Sequence, residues 1–239
     1  MFHIHNHIIL DIETVPNYRS FEQMPDRWQQ LWIKKVERSL PENVTAAEFY
    51  GMRAGVMAEF SKIVCISLGY YYRDINLHFR IKSFYGHDEK VILEKFLELL
   101  NRMEIVNNKW QFTGHNIKEF DIPFICRRLL VNGLPVPPYL DFQNMKPWET
   151  NIVDTFQYWR FGDYKNFTSL DLLAATLGLP TPKSEMDGSM VADAYYNDEY
   201  GLQKIAKYCS QDVATVANIL LRFSNIPPLH PDDIEYLNG

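Results

Sequence analysis

Cysteine is scarce in this chain and nowhere closely spaced. The 239 residues hold three, Cys65, Cys126 and Cys209. None belongs to a C-x-x-C arrangement, which excludes a disulfide framework and a thiolate zinc site and fits a reducing cytoplasm. A run of about eighteen apolar residues, the minimum for a membrane span, is also missing. The opening MFHIHNHIIL lacks the basic start and small-residue cleavage site of a secretory signal, so a soluble, cytoplasmic protein with no membrane partner is expected. No internal repeat, low-complexity tract or linker-like shift in composition divides the chain, and one domain over residues 1–239 is expected.

Positive charge is also short. Lys and Arg number 24 against 30 Asp and Glu, a formal charge of −6, which argues against gripping long nucleic acid through a broad phosphate-neutralising surface. That argument has a limit, because four clustered acids holding two divalent cations would leave roughly −2 and reverse the field where they sit.

Apolar and aromatic side chains are plentiful, 46% and 14% of the residues, ample for a packed core. The stretch HIHNHIILDIETVP, His3 to Pro16, reads as a first strand whose alternation puts His3, His5, His7, Ile9, Asp11 and Glu13 on one face. A polar, helix-compatible segment at about 17–60, punctuated by Pro25 and Pro41, reads as a helical insertion. Lys62 to Tyr72 and Ile75 to Phe84 read as an antiparallel hairpin joined through Arg73-Asp74. A helix capped by Asp88 runs to about Met103, and a short strand spans Trp110 to Gly114. The next helix runs from Asp121 to about Asn132, with Pro123 in its first turn and Gly133 just past its end. Helices over Ser169 to Leu177 and Gly201 to Phe223 follow, then a Pro-rich tail at about 224–239. Three early strands followed by alternating strands and helices predict a mixed α/β sheet with helices on its faces.

Asp11 and Glu13 carry the strongest chemical signal. In I-I-L-D-I-E-T-V-P they share one face of a strongly apolar strand, where a buried carboxylate is costly unless paired or metal-bound. A cation is therefore expected beside them. The histidines lie upstream of the apolar run, and an isolated H-x-H would need further His ligands on other strands. Of the remaining four, His78 falls within a strand, His87 and His230 in loops, and only His115 near a strand end, so the early histidines read as a frayed strand start. Asp121, in G-H-N-I-K-E-F-D-I-P-F-I-C-R-R, stands at a helix start, where an acid is often only an N-cap. Tyr208 and Asp212, in Y-C-S-Q-D, lie one turn apart on the flank of the stripe Leu202, Ile205, Cys209, Val213, Val216 and Leu220.

Together, D-x-E on the first strand, N-x-x-x-F-D at a strand-to-helix junction and Y-x-x-x-D on a late helix resemble the motifs of DEDDy-type 3′-5′ exonucleases of the ribonuclease H-like superfamily. N-I-K-E-F-D-I-P-F-I-C-R-R is similar to the second motif of the proofreading exonuclease domain of family B DNA polymerases. Tyr208 stands four before Asp212, with Lys207 and not His five before it, which matches the tyrosine branch. The resemblance spans roughly Ile8 to Phe223, and 239 residues hold no polymerase domain, so a stand-alone relative is expected. It implies a ribonuclease H-like mixed five-stranded sheet flanked by helices. It also implies a metal-dependent 3′-5′ exonuclease acting by a two-metal-ion mechanism on the 3′ end of single-stranded or frayed nucleic acid, DNA favoured over RNA.

Carried over by position, the resemblance makes Asp11, Glu13, Asp121 and Asp212 the carboxylates for two Mg2+ or Mn2+ ions about 4 Å apart. Asp11 would bridge them, Glu13 and Asp212 would complete the nucleophile-side site, and Asp121 would act through bound water. Tyr208 would orient the attacking water, since a phenol with an ordinary pKa near 10 is better placed to position it than to deprotonate it. Thr14 and Asn116 would contact the terminal nucleotide. Phe120 would either stack on a base or fill the core, and Lys183 would either meet a phosphate or stand solvated. Asp154 is expected to be structural, one of Arg127 and Arg128 to be at the surface, and Asp171 to lie outside the acidic cluster. The rival readings are a ribonuclease H-like endonuclease and an inactive nucleic-acid-binding module.

Overall fold

The structure, a computed structural model, describes residues 4–106, 110–146, 149–165, 167–180 and 186–237. The central strand β1, His7–Pro16, buries Ile8, Ile9, Leu10, Ile12 and Val15. Such a near-continuous β-branched run suits a strand covered on both faces. The chain then leaves the sheet for helices α1, Asp26–Val36, and α2, Ala46–Arg53. Thr45 and Glu48 form a reciprocal capping box that starts α2, satisfying amide groups that the helix itself cannot. This segment has a small core of its own around Trp32, Phe49, Tyr50 and Phe60. It rejoins the sheet beside its point of departure, where Asn17 N donates to Phe60 O at 2.8 Å.

Strands β2, Ser61–Arg73, and β3, Leu77–Tyr85, pair antiparallel, β2 also pairing antiparallel with β1. The turn between them falls on residues 74–76 and not on Arg73-Asp74, because the Asp74 carboxylate accepts from Asn76 N at 3.1 Å and Arg73 remains in register with Leu77. Helix α3, Glu89–Val106, leads to β4, Gln111–Gly114, and helix α4 is Asp121–Val131. A fifth strand and four helices follow: β5 Ile152–Asp154, α5 Thr155–Arg160, α6 Leu170–Thr176, α7 Val191–Asn197 and α8 Gly201–Phe223.

The sheet has six strands, not five, in the order β5-β4-β1-β2-β3-β6. The sixth, β6, Ile234–Leu237, comes from the Pro-rich tail and pairs parallel with β3 from Phe79 to Lys82. Pro227, Pro228 and Pro231 end before the pairing residues, so the tail's last turn is free to donate to the ladder. Helices α3 and α4 cover one face through Ile12, Ile66, Phe96, Phe124 and Ile125. Helix α8 covers the other through Ile9, Phe79, Val213, Val216 and Leu220. No helix among the described residues is long and apolar enough to cross a membrane.

Candidate active site

Strand alternation puts Asp11 and Glu13 on the same face as Ile9, under α8. Glu13 is buried, while Asp11 keeps partial exposure. Among the described residues no hydrogen-bond donor reaches Asp11 Oδ2, although that atom is shielded from solvent. The Cys209 thiol, on α8, donates instead to the Asp11 backbone oxygen at 3.4 Å. A bulge between Glu13 and Thr14 then breaks the alternation. Beyond it, Thr14 Oγ1 donates to Gly55 O at 2.6 Å, so its proton is already engaged.

Asp121 arrives from the start of α4. Strand β4 pairs with β1 only from His7 to Ile9, which leaves the Ile12 N–H without a strand partner on that side. Asp121 Oδ1 accepts it at 3.1 Å, so the acid is pinned to the strand that carries Asp11 and Glu13. The chain turns from β4 into α4 at Gly114, where a Cβ would lie 2.8 Å from Ile117 Cβ and 2.9 Å from Leu10 O, a close approach that glycine alone permits. Asn116 follows in the left-handed region, φ 62. Asp154 fastens this turn: its carboxylate accepts from Asn116 N at 3.0 Å and Lys118 N at 3.1 Å while capping α5 through Phe156 N and Gln157 N. That is a structural role, as its sequence context suggested. Among the described residues the Asn116 side-chain oxygen is buried with no partner.

Tyr208 and Asp212, one turn apart on α8, hydrogen-bond to each other. Burial raises the Asp11 carboxyl well above the ordinary range, and Glu13, Asp121 and Asp212 raise it further, the Cys209 thiol offsetting part of this. Glu13 is likewise raised, by burial and then by Asp212, Cys65 and Asp121. Burial lifts Asp121 to about 7, against the hydrogen bonds from its own and the Ile12 amide, with Asp154 adding to the rise. Burial also lifts Asp212 to about 6; Tyr208 opposes the rise and Asp171 adds to it. The Tyr208 hydroxyl is raised by burial and by these carboxylates. Asp11 and Glu13 therefore feel the charges of Asp121 and Asp212, as groups on three separate elements can only when those elements converge.

Asp171, expected outside the cluster, stands on α6 near enough to raise Asp212. The reason is packing: α6 lies on α8 through Leu173, Ala174 and Ile219. Cys209 was read only as part of the apolar stripe. Its thiol, Asp11 and Glu13 offer ligand atoms all within 4.8 Å of one another, and the signal for it was its place between Tyr208 and Asp212. Phe120 is partly buried against the α3–α4 side of the core and 5.4 Å from Phe124, ring centroid to centroid. His7 is fully buried and bonds Thr113 Oγ1 through Nδ1 at 2.6 Å. It is thus an ordered strand residue and not part of a frayed start. His3 and Lys183 lie outside the described residues. Arg127 is exposed and Arg128 buried. Paired Asp11 and Glu13 oxygens, carboxyls raised by burial and by neighbouring acids, and an orphaned Asp11 oxygen fit divalent cations.

Three antiparallel strands, two further parallel strands beyond β1, and helices on both faces define a ribonuclease H-like α/β fold. The chain belongs to the family described as predicted 3′-5′ exonucleases related to the exonuclease domain of PolB, whose profile matches residues 56–228. The matched span contains Asp121, Tyr208 and Asp212 and begins after Asp11 and Glu13. In structure the chain is similar to the family B DNA polymerase from the hyperthermophilic archaeon Pyrobaculum calidifontis, with a TM-score of 0.52 and 15% identity over 90% of this chain and 24% of the polymerase. The chain thus spans about a quarter of that polymerase's length, and at this identity the likeness is one of fold. No curated protein matches it.

Proposed function

We propose that this protein is a metal-dependent 3′-5′ exonuclease of the DEDDy type that removes nucleotides from single-stranded or frayed nucleic acid, DNA favoured over RNA. The observation that carries the reading is that burial raises Asp11, Glu13, Asp121 and Asp212 and that Asp121 and Asp212, from α4 and α8, raise Asp11 and Glu13 of β1 further, beside an Asp11 oxygen that no donor satisfies. These four would hold two Mg2+ or Mn2+ ions. When bound, such ions supply an activated water, a neutralised phosphate and a stabilised leaving oxygen at neutral pH.

The chain's own groups then orient and select. Tyr208 keeps its proton at neutral pH, because burial and the surrounding carboxylates hold its hydroxyl above the ordinary range. It can therefore fix a water by hydrogen bonding but cannot serve as the base. Asn116, partly exposed in the turn before α4, would contact the terminal nucleotide. Phe120, between core and surface, offers a ring edge to its base. Thr14 retains only acceptor capacity while its hydroxyl donates to Gly55 O.

Single strands labelled at one end, incubated with Mg2+ or Mn2+ and then with chelator, test this. A 3′ label should appear first as mononucleotide, a closed circular strand should survive, and chelator should stop the reaction. Cutting of the circle would favour the endonuclease instead, and first release from the 5′ end would overturn the 3′-5′ direction. In the same assay Asp11→Ala should abolish activity, whereas Tyr208→Phe should lower kcat by roughly one hundredfold and leave a measurable rate, the range expected for one positioned group. Equal losses in the two variants would contradict the separation of binding and orienting roles.

A further inference from the structure

Three aromatic rings stand on the segment that joins α5 to α6, and a fourth, Tyr158, on α5 beside it. Phe161, Tyr164 and Phe167 are 82%, 80% and 69% exposed, and Tyr158 is 41% exposed. Single exposed apolar side chains are ordinary, but a contiguous set marks a binding surface. The rings are propped and not loose: Phe167 packs on Phe156 with centroids 5.0 Å apart, and Tyr158 lies 5.6 Å from Phe161 and 4.7 Å from Phe223. The Arg160 guanidinium stands 3.8 Å over the Phe156 ring and 6.0 Å from that of Tyr164, which adds a fixed positive charge.

This segment is tied to the acidic cluster at two points. The His115 ring, next to Asn116, bonds Thr155 Oγ1 at 3.0 Å and the Thr168 carbonyl at 2.9 Å, locking the residue after Phe167 to the turn before α4. Just beyond Thr168, α6 packs on α8, the helix of Tyr208 and Asp212, through Leu173, Ala174 and Ile219. The rings are therefore carried by a segment anchored to the turn that holds Asn116 and to the helix that holds Asp212.

We infer that the exposed rings Phe161, Tyr164 and Phe167, with Arg160 as their cation, form a stacking platform for the bases that follow the terminal nucleotide of a single strand. The inference rests on the nuclease reading above. Exposed rings interleaved with a guanidinium match unpaired bases, each of which presents a π-face, and a strand backbone that carries negative charge. A duplex keeps those faces stacked inside, so the platform selects single strands.

The test uses the full chain with Mg2+, oligothymidylates of three and twelve nucleotides, and the double variant Phe161→Asn with Tyr164→Ala. Asparagine tolerates the left-handed backbone of Phe161, φ 46, so the ring is removed without new strain. The double variant should raise KM for the longer strand by about tenfold or more, a stacking loss, and by much less for the trinucleotide, with the loss falling on KM and not on kcat. Phe161→Trp with Tyr164 intact should keep the parent's preference for the longer strand. Ile75→Ala, 95% exposed at the distant hairpin turn, is the surface control. If the parent degrades strands and the double variant matches its KM at both lengths, the platform is overturned while the nuclease reading stands. A parent that cleaves neither strand overturns both.

Discussion

Asp212 is lifted to about 6 by burial and then by the charge of Asp171, and metal-free folding must overcome both. Asp212→Asn removes one charge and keeps the shape, so in chelator this variant should melt above the parent. Mg2+ or Mn2+ should reverse the ranking, because a ligand at about 100 times its Kd stabilises the folded state by about 2.7 kcal/mol and the variant forfeits much of that. Asp171→Asn should give a smaller rise in chelator, since it relieves Asp212 from outside. Glu37→Gln, exposed at the end of α1, is the control that should show neither effect. Thermal melts with and without Mn2+ check this; a parent unmoved by millimolar Mn2+ and an Asp212→Asn variant no more stable in chelator would refute a shared metal site.

At the level of elements, the placement of α4, and with it Asp121, depends on a buried ion pair. Arg128 Nε and Nη2 reach the Glu89 carboxylate at 2.8 and 2.6 Å, and Nη1 donates to Ala58 O at 2.8 Å. Glu89 also accepts from Ile63 N at 2.7 Å, so α3, α4 and the start of β2 meet at one carboxylate. Both side chains are buried, and removing one partner strands the other's charge. Arg128→Met should therefore destabilise by about 3–5 kcal/mol in urea unfolding. Arg127→Ala, one residue away and exposed, should stay within about 0.5 kcal/mol. Similar losses in both would mean that the pair is not what fixes α4.

For the molecule as a whole, the raised carboxyls set the direction of its pH response. Asp121 at about 7 and Asp212 at about 6 bind protons more tightly in the folded, metal-free protein than in the unfolded chain, where the ordinary value is near 3.9. Stability is then fullest below that unfolded value and is lost as the pH rises through about 6 and about 7. The Tm in chelator should accordingly fall from about pH 5 to about pH 7.5. Since metal requires the ionised forms, the Mg2+ concentration for half-maximal activity should climb as the pH drops through the same window. A flat or rising Tm in chelator over this range would contradict the crowding of the acids.

The apolar runs and their periods determined much of this protein. Strand β1 from His7 onward and α8, Gly201–Phe223, lie where alternation and the helical stripe put them, because a long amphipathic pattern has one way to bury its face; the expected start of the strand at His3 gives way to a 3-10 turn at Ile4–Asn6. The acids at Asp11 and Glu13 were legible because an apolar strand gives a charge no other reason to be there. Weaker periods were not legible: β5 has three residues and β6 four, too few to show alternation, and β6 exists only because β3 presents it an open edge. Tertiary structure alone decided the neighbours. Cys209 meets Asp11 across 198 positions of chain, Glu89 meets Arg128 across 39, and Asp171 presses on Asp212 because two helices pack side by side. Burial, and the pKa values and ion pairs that follow from it, belongs to the space between elements, which local pattern does not contain.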